Sequence, residues 1–363
     1  MADLSLFAFT PRSDKATSSS GWELFKGGVV NTLSGDDAII RVDGHQHGED
    51  SSGDIFNGGL IEMGLGVDSI EGYESAEGGG LVNTGIIKTG AGSDTIIGYS
   101  AGFGDGGLIN SGLINTGSGN DVVRGRGGYR GTGIDNSGTL YTGPGDDIVD
   151  GGGGGIWNDR RISTDTGDDT IIGYEEDYYG VFNVAFINTG DGNDLVESNW
   201  IFNAKFGPVG GTIDMGKGDD VINGYVDNDG TIALGDGNDR MINTTYLGNE
   251  PHSTWVVGSN SGLISAGAGS DVIGNLEPYS ISGNIDMGTG NDTLKGFGIG
   301  LFDGGAGIDT LTFAPGTYRV EAVGLGKILI NDQMNVHGFE RFGQGAGFLS
   351  LSDAVALGSV TFV

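Results

Sequence analysis

A six-residue turn recurs twelve times along this chain, and no other feature limits its fold as much. The clearest copy is Thr116-Gly117-Ser118-Gly119-Asn120-Asp121. Its closing Asp returns as Asp37, Asp68, Asp94, Asp121, Asp147, Asp169, Asp194, Asp220, Asp239, Asp271, Asp292 and Asp309, at intervals of 17 to 32 residues. A Gly stands two residues before every one of these Asp and four residues before ten of them, Leu33 and Asp165 being the exceptions. Such a period marks stacked repeats rather than the two globular domains that 363 residues would otherwise suggest.

Alignment on the Asp brings out further columns. Two residues after it the chain is always apolar, from Ile39, Ile70 and Ile96 to Leu294 and Leu311. Seven residues before it the chain is again apolar, from Val30 and Ile61 to Ile285 and Phe302. The column five before mixes Thr116 with Met63, Leu234 and Ala266, and on a strand it shares the inward face of the column seven before. Eleven residues before stand Asn57, Asn83, Asn110, Asn136, Asn158, Asn183, Asn228 and Asn260, which suit a stacked amide ladder at one corner. Each repeat therefore reads as a strand ending at Asn, a second strand, the Gly-Asp turn and a third strand. One such coil cannot bury its apolar positions alone. The expected fold is all-β, a right-handed parallel β-helix or β-roll-like solenoid of about twelve rungs with terminal caps. Residues 1–27 are expected as an N-terminal cap, 28–311 as the solenoid and 312–363 as a C-terminal cap.

Composition agrees and excludes several alternatives. The 76 Gly disfavour a helical protein. There is no Cys, so disulfides, thiolate catalysis and Cys-type zinc sites are out. A formal net charge of -32 argues against nucleic acid as a partner. No apolar run is long enough for a membrane-spanning helix.

Stacking in register would place the twelve carboxylates in one column, about 4.8 Å apart. Neighbours would repel by roughly 0.9 kcal/mol in water and about 3.5 kcal/mol at an effective dielectric of 20. A cation between rungs reverses that sign. The donors are hard oxygens, carboxylate and carbonyl, in a flexible Gly cage, and these select Ca²⁺ over Zn²⁺, Cu²⁺ and Mg²⁺. The twelve Asp are the candidate metal ligands, and the gaps between twelve turns hold up to about eleven ions.

The turn resembles the repeats-in-toxin (RTX) calcium-binding repeat, Gly-Gly-x-Gly-x-Asp-x-apolar-x, from about Gly28 to Leu311. That resemblance implies Ca²⁺ held by turn carbonyls and the column Asp. It also implies export, with an uncleaved type I secretion signal in the tail 349–363, where a capping strand fits equally well. The departure is that RTX repeats run in tandem, whereas each coil here carries one turn, so one calcium column is expected. Asp3–Phe9 reads as a strand over the first rung, and Met1–Ser20 lacks the pattern of a Sec-type signal.

The leading expectation is a secreted, non-enzymatic calcium-binding structural protein. It would self-assemble into a surface layer, matrix or filament. The alternatives are an adhesin binding carbohydrate, such as a surface polysaccharide, or another surface, with ice disfavoured because the Thr column points inward and alternates with Met, and, less favoured, a polysaccharide lyase or epimerase on a β-helix. Arg124, Arg126, Arg130, Arg160 and Arg161, near Asp150, Glu175, Glu176, Asp177, Tyr178 and Tyr179, are the residues such an activity would use. His45 and His47 read as exposed loop residues. The recurrent Tyr73, Tyr99, Tyr174, Tyr225 and Phe297 read as stacked packing rather than a sugar platform.

Overall fold

The computed structural model describes residues 2–18, 21–41, 55–74, 78–175, 179–205, 210–243, 257–275, 281–324, 326–343 and 347–362. His45, His47, Glu176, Asp177, Tyr178 and the loop 244–256 lie outside them. The chain forms two compact units, Met1–Asp191 and Gly192–Val363.

In the first unit a rung consists of three short strands, such as Leu108–Asn110, Leu113–Ser118 and Val122–Arg126. Each pairs in parallel with its counterparts one rung away, so the unit is a parallel β-solenoid. Register preserves the sequence columns: Ile87 pairs with Ile114, Ile114 with Leu140, and Ile96 with Ile70 and Val123. The two apolar columns are buried at every rung and form the core. Burying each Ile or Val side chain stabilises by roughly 1.5–3 kcal/mol, and stacking is what makes that burial available.

The Asn column forms the amide ladder. Asn57, Asn83, Asn110 and Asn136 each donate Nδ2 to the Oδ1 of the next Asn, at 2.7 to 2.8 Å. The same Nδ2 groups donate to a carbonyl across the corner, as Asn83 does to Leu113. Both amide donors of these fully buried side chains are therefore used.

The N-terminus differs from expectation. Ala2–Asp3 is a two-residue strand and Leu4–Leu6 a single 3₁₀ turn. The Asp3 carboxylate accepts the Ser5 N–H and hydroxyl, which breaks the extended run. The strand that covers the first rung is Lys15–Ser18, parallel to Ala38–Arg41.

The second unit repeats the same rungs, with longer strands at Leu195–Asn203 and Val221–Asn228. Its end is closed by antiparallel strands. Gly316–Gly324 pairs with Lys327–Ile330 and with Ser359–Phe362, and Lys327–Ile330 pairs with Met334–His337. The tail contains a short helix, Leu351–Leu357, N-capped by Ser350 and ended by left-handed Gly358. Phe362 then packs against Phe313, Phe342 and Tyr318, with centroids 5.6 to 5.9 Å apart. The cap covers the apolar end of the stack and pairs its open strand edge.

Candidate metal centre

Each turn is shaped by its two glycines. Gly117 and Gly119 have φ of 106° and 124°, a region where an L side chain is strained. Crowding along the stack adds a second requirement: a Cβ on Gly119 would sit 1.9 Å from the Gly92 carbonyl oxygen. The carbonyls of these glycines therefore face along the stack, against the equivalent turn of the next rung. Where the leading Gly is missing, Leu33 and Asp165 adopt φ of 75° and 81°, so the backbone shape persists without it.

The column Asp are buried to within 1% of full burial, all twelve of them. Their Oδ1 atoms have an assigned role. In the first unit the N–H of Asp37 donates to Asp68, Asp68 to Asp94, Asp94 to Asp121, Asp121 to Asp147 and Asp147 to Asp169, at 2.7 to 2.8 Å. In the second unit Asp194 donates to Asp220, Asp220 to Asp239, Asp239 to Asp271, Asp271 to Asp292 and Asp292 to Asp309, each at 2.8 Å. Each unit thus contains a run of six stacked carboxylates.

The Oδ2 atoms have no such role. In Asp37, Asp68, Asp94, Asp121, Asp147, Asp220, Asp239, Asp271, Asp292 and Asp309 this oxygen is buried and accepts no hydrogen bond. The hydroxyls of Thr89 and Thr116 lie beside Asp94 and Asp121 and favour their ionised forms. However, each hydroxyl has one proton, and it points to the Thr carbonyl one rung on, at 2.8 and 3.0 Å. Burial accordingly pushes the column carboxylates up, Asp68 and Asp147 to about 7, Asp220 to about 8, and Asp121, Asp239, Asp271 and Asp292 to about 6. Like charge from stacked neighbours adds to the rise, as Asp94 and Asp37 do for Asp68.

Oxygen donors in a buried, anionic, glycine-built turn fit Ca²⁺. Among the described residues no three carboxylate or imidazole groups converge on one point. A cation here would therefore take one Asp per turn and draw its other ligands from backbone carbonyls.

Three features of the site were not read from sequence. First, residues that precede several of the column Asp form an outer ladder. The N–H of Asp168 donates to Asp146 Oδ1, that of Asn238 to Asp219 Oδ1 and that of Ser270 to Asn238 Oδ1. The preference for Asn, Asp or Ser at this position was its signal. Second, the Asp14 N–H donates to Asp37 Oδ1, so an additional turn lacking both glycines precedes the first hexad. Third, the Glu340 carboxylate accepts the Asp309 N–H at 2.9 Å and closes the second run. Asp14 lacks both glycines, whereas Glu340 keeps Gly338 two residues before it and apolar Phe342 two after, with Glu in place of the column Asp.

The five Arg do not form one patch. Arg124 pairs with Asp150 at 2.8 Å, whereas Arg161 lies on a different strand and stands over the Phe186 ring at 5.0 Å. The aromatic column packs as expected at Tyr73 and Tyr99, 5.9 Å apart, while Tyr225 and Phe297 are buried.

The chain matches no protein-family model and no curated protein. It is similar to a solved structure, a hyperactive, Ca²⁺-dependent, β-helical antifreeze protein from an Antarctic bacterium. That similarity spans 95% of this chain and 91% of the other, at 17% identity and a TM-score of 0.44.

Proposed function

We propose that this chain is a calcium-stabilised structural β-solenoid that works outside the cell and has no catalytic role. One observation carries the reading: ten column Asp each bury a carboxylate oxygen that accepts no hydrogen bond. Leaving one such atom unsatisfied costs about 1–3 kcal/mol, and more when charged. Ten of them would rival or exceed a typical total stability of about 5–15 kcal/mol. Calcium between successive turns would satisfy these oxygens and offset the charge. Metal binding would then be coupled to folding.

That coupling suits an exported chain, unfolded where calcium is scarce and folded where it is millimolar. The RTX-like turn supports export by the type I route. Exposed apolar side chains support self-assembly into a layer, matrix or filament. Leu65 and Val67 project from an early turn, and Ile299 and Leu301 from a late strand, each more than half exposed.

Equilibrium dialysis against calcium, with melting followed by circular dichroism, tests the reading. We expect several ions per chain and a melting temperature that falls in chelator. An unchanged β signal and unchanged melting in chelator would overturn it. Electron microscopy in calcium tests assembly, and dispersed monomers at high protein concentration would exclude it.

A further inference from the structure

The loops that close successive rungs of the first unit differ in what they carry. Residues 101–107 include Phe103, 127–133 include Tyr129 and Arg130, and 151–155 are five consecutive glycines. The next loop carries Glu175 and Tyr179. These loops stack in direct contact: a Cβ on Gly154 would lie 2.3 Å from the Gly131 carbonyl oxygen, and one on Gly133 would lie 1.7 Å from that of Gly151. A rung with no side chains between two rungs that have them leaves a notch. The notch has a volume of about 250 Å³ and is lined by Arg130, Thr132, Trp157, Glu175, Tyr179 and Phe182.

The lining has a specific chemistry. Trp157 is 41% exposed, yet its indole is fixed. Its Nε1–H donates to Asp159 at 2.8 Å, and one ring face stacks on Phe182 at 3.9 Å. On the other side the register partner is Asp135, a short side chain. Arg130 holds a left-handed backbone, φ 60°, at the rim. Arg130 has no ion pair among the described residues, and its guanidinium lies over the Tyr129 ring at 5.6 Å. An unpaired guanidinium beside an immobilised indole calls for an anion on a ring.

We propose that this notch binds an anionic pyranose ring of a polysaccharide. The ring packs against Trp157, the acidic substituent meets the guanidinium fork of Arg130, and Glu175 accepts hydrogen bonds from ring hydroxyls. The site is separate from the Asp column, so it stands or falls independently of calcium binding.

The test uses the full chain in calcium buffer and calorimetric titration with short oligosaccharides. Trigalacturonate supplies the carboxylated form, a sulfated chondroitin disaccharide the sulfated form, and cellotriose the neutral control. We expect at least one anionic probe to bind at millimolar or tighter affinity and cellotriose to bind at least about tenfold more weakly. Trp157→Ala and Arg130→Gln should each weaken binding by about tenfold or more. Trigalacturonate and the chondroitin disaccharide separate a carboxylate from a sulfate as the recognised group. The proposal is overturned if no probe binds, if cellotriose binds as well as the anionic probes, or if Trp157→Ala and Arg130→Gln fold and bind undiminished.

Discussion

The two turns that lack a leading glycine show what that glycine contributes. Leu33 and Asp165 hold left-handed backbone, which costs an L residue roughly 1–2 kcal/mol. Asp165 has a compensation, since its carboxylate accepts the Tyr141 hydroxyl. The Leu33 side chain is 52% exposed, so removing it loses little packing. Leu33→Gly should therefore stabilise the chain by about 0.5–1 kcal/mol, after the entropy that Gly loses on folding. Melting in calcium measures it, and a lower melting temperature would contradict it. The second glycine of a turn should respond in the opposite direction. An Ala at Gly119 would combine φ 124° with a Cβ 1.9 Å from the Gly92 oxygen. Gly119→Ala should cost about 3 kcal/mol or more, because backbone must move on both rungs.

The turn as an element poses a sharper question, whether its Asp is a ligand or only a hydrogen-bond acceptor. Asp121→Asn separates the two. Asn keeps the shape and leaves an Oδ1 for the Asp94 N–H, but removes the buried charge. In calcium the substitution should destabilise by about 1 kcal/mol or more through loss of a charged ligand. In chelator it should stabilise, since burial opposes the ionised carboxylate there. Equal losses in both buffers would make the column purely structural. Much at this scale was legible in the sequence, because register repeats: Ile87, Ile114 and Leu140 are one column in both chain and structure. Legibility failed where spacing or chemistry departs from the repeat. Asn203 belongs to the amide ladder and donates to Asn228 at 2.7 Å. It was missed because it stands 17 residues before Asp220 rather than eleven. Asp14 bonds to the start of one run from a segment with neither glycine, and Glu340 to the end of the other from a turn that keeps Gly338 and Phe342 but has Glu in place of Asp. The cap helix Leu351–Leu357 was not read because its stability comes from tertiary packing, which a short apolar tail does not reveal.

For the whole molecule, the net charge of -32 becomes a prediction about pH. Part of that charge is buried. The folded carboxylates of Asp68, Asp147 and Asp220 are raised to about 7 or 8, and those of Asp121, Asp239, Asp271 and Asp292 to about 6, by burial first and like charge second. In the unfolded chain the same groups titrate near 4. A group raised on folding binds its proton more tightly in the folded state. Its contribution to stability is full below about pH 4 and is lost as pH rises through 6 to 8. The metal-free chain should therefore melt at a higher temperature at pH 5 than at pH 8. Calcium reverses the slope, because the proton and the ion compete for the same oxygens and the ion wins as pH rises. Melting curves at pH 5, 6.5 and 8, with calcium and with chelator, should cross. Parallel curves, or a metal-free chain that gains stability toward pH 8, would show that the buried carboxylates are neither proton nor calcium sites.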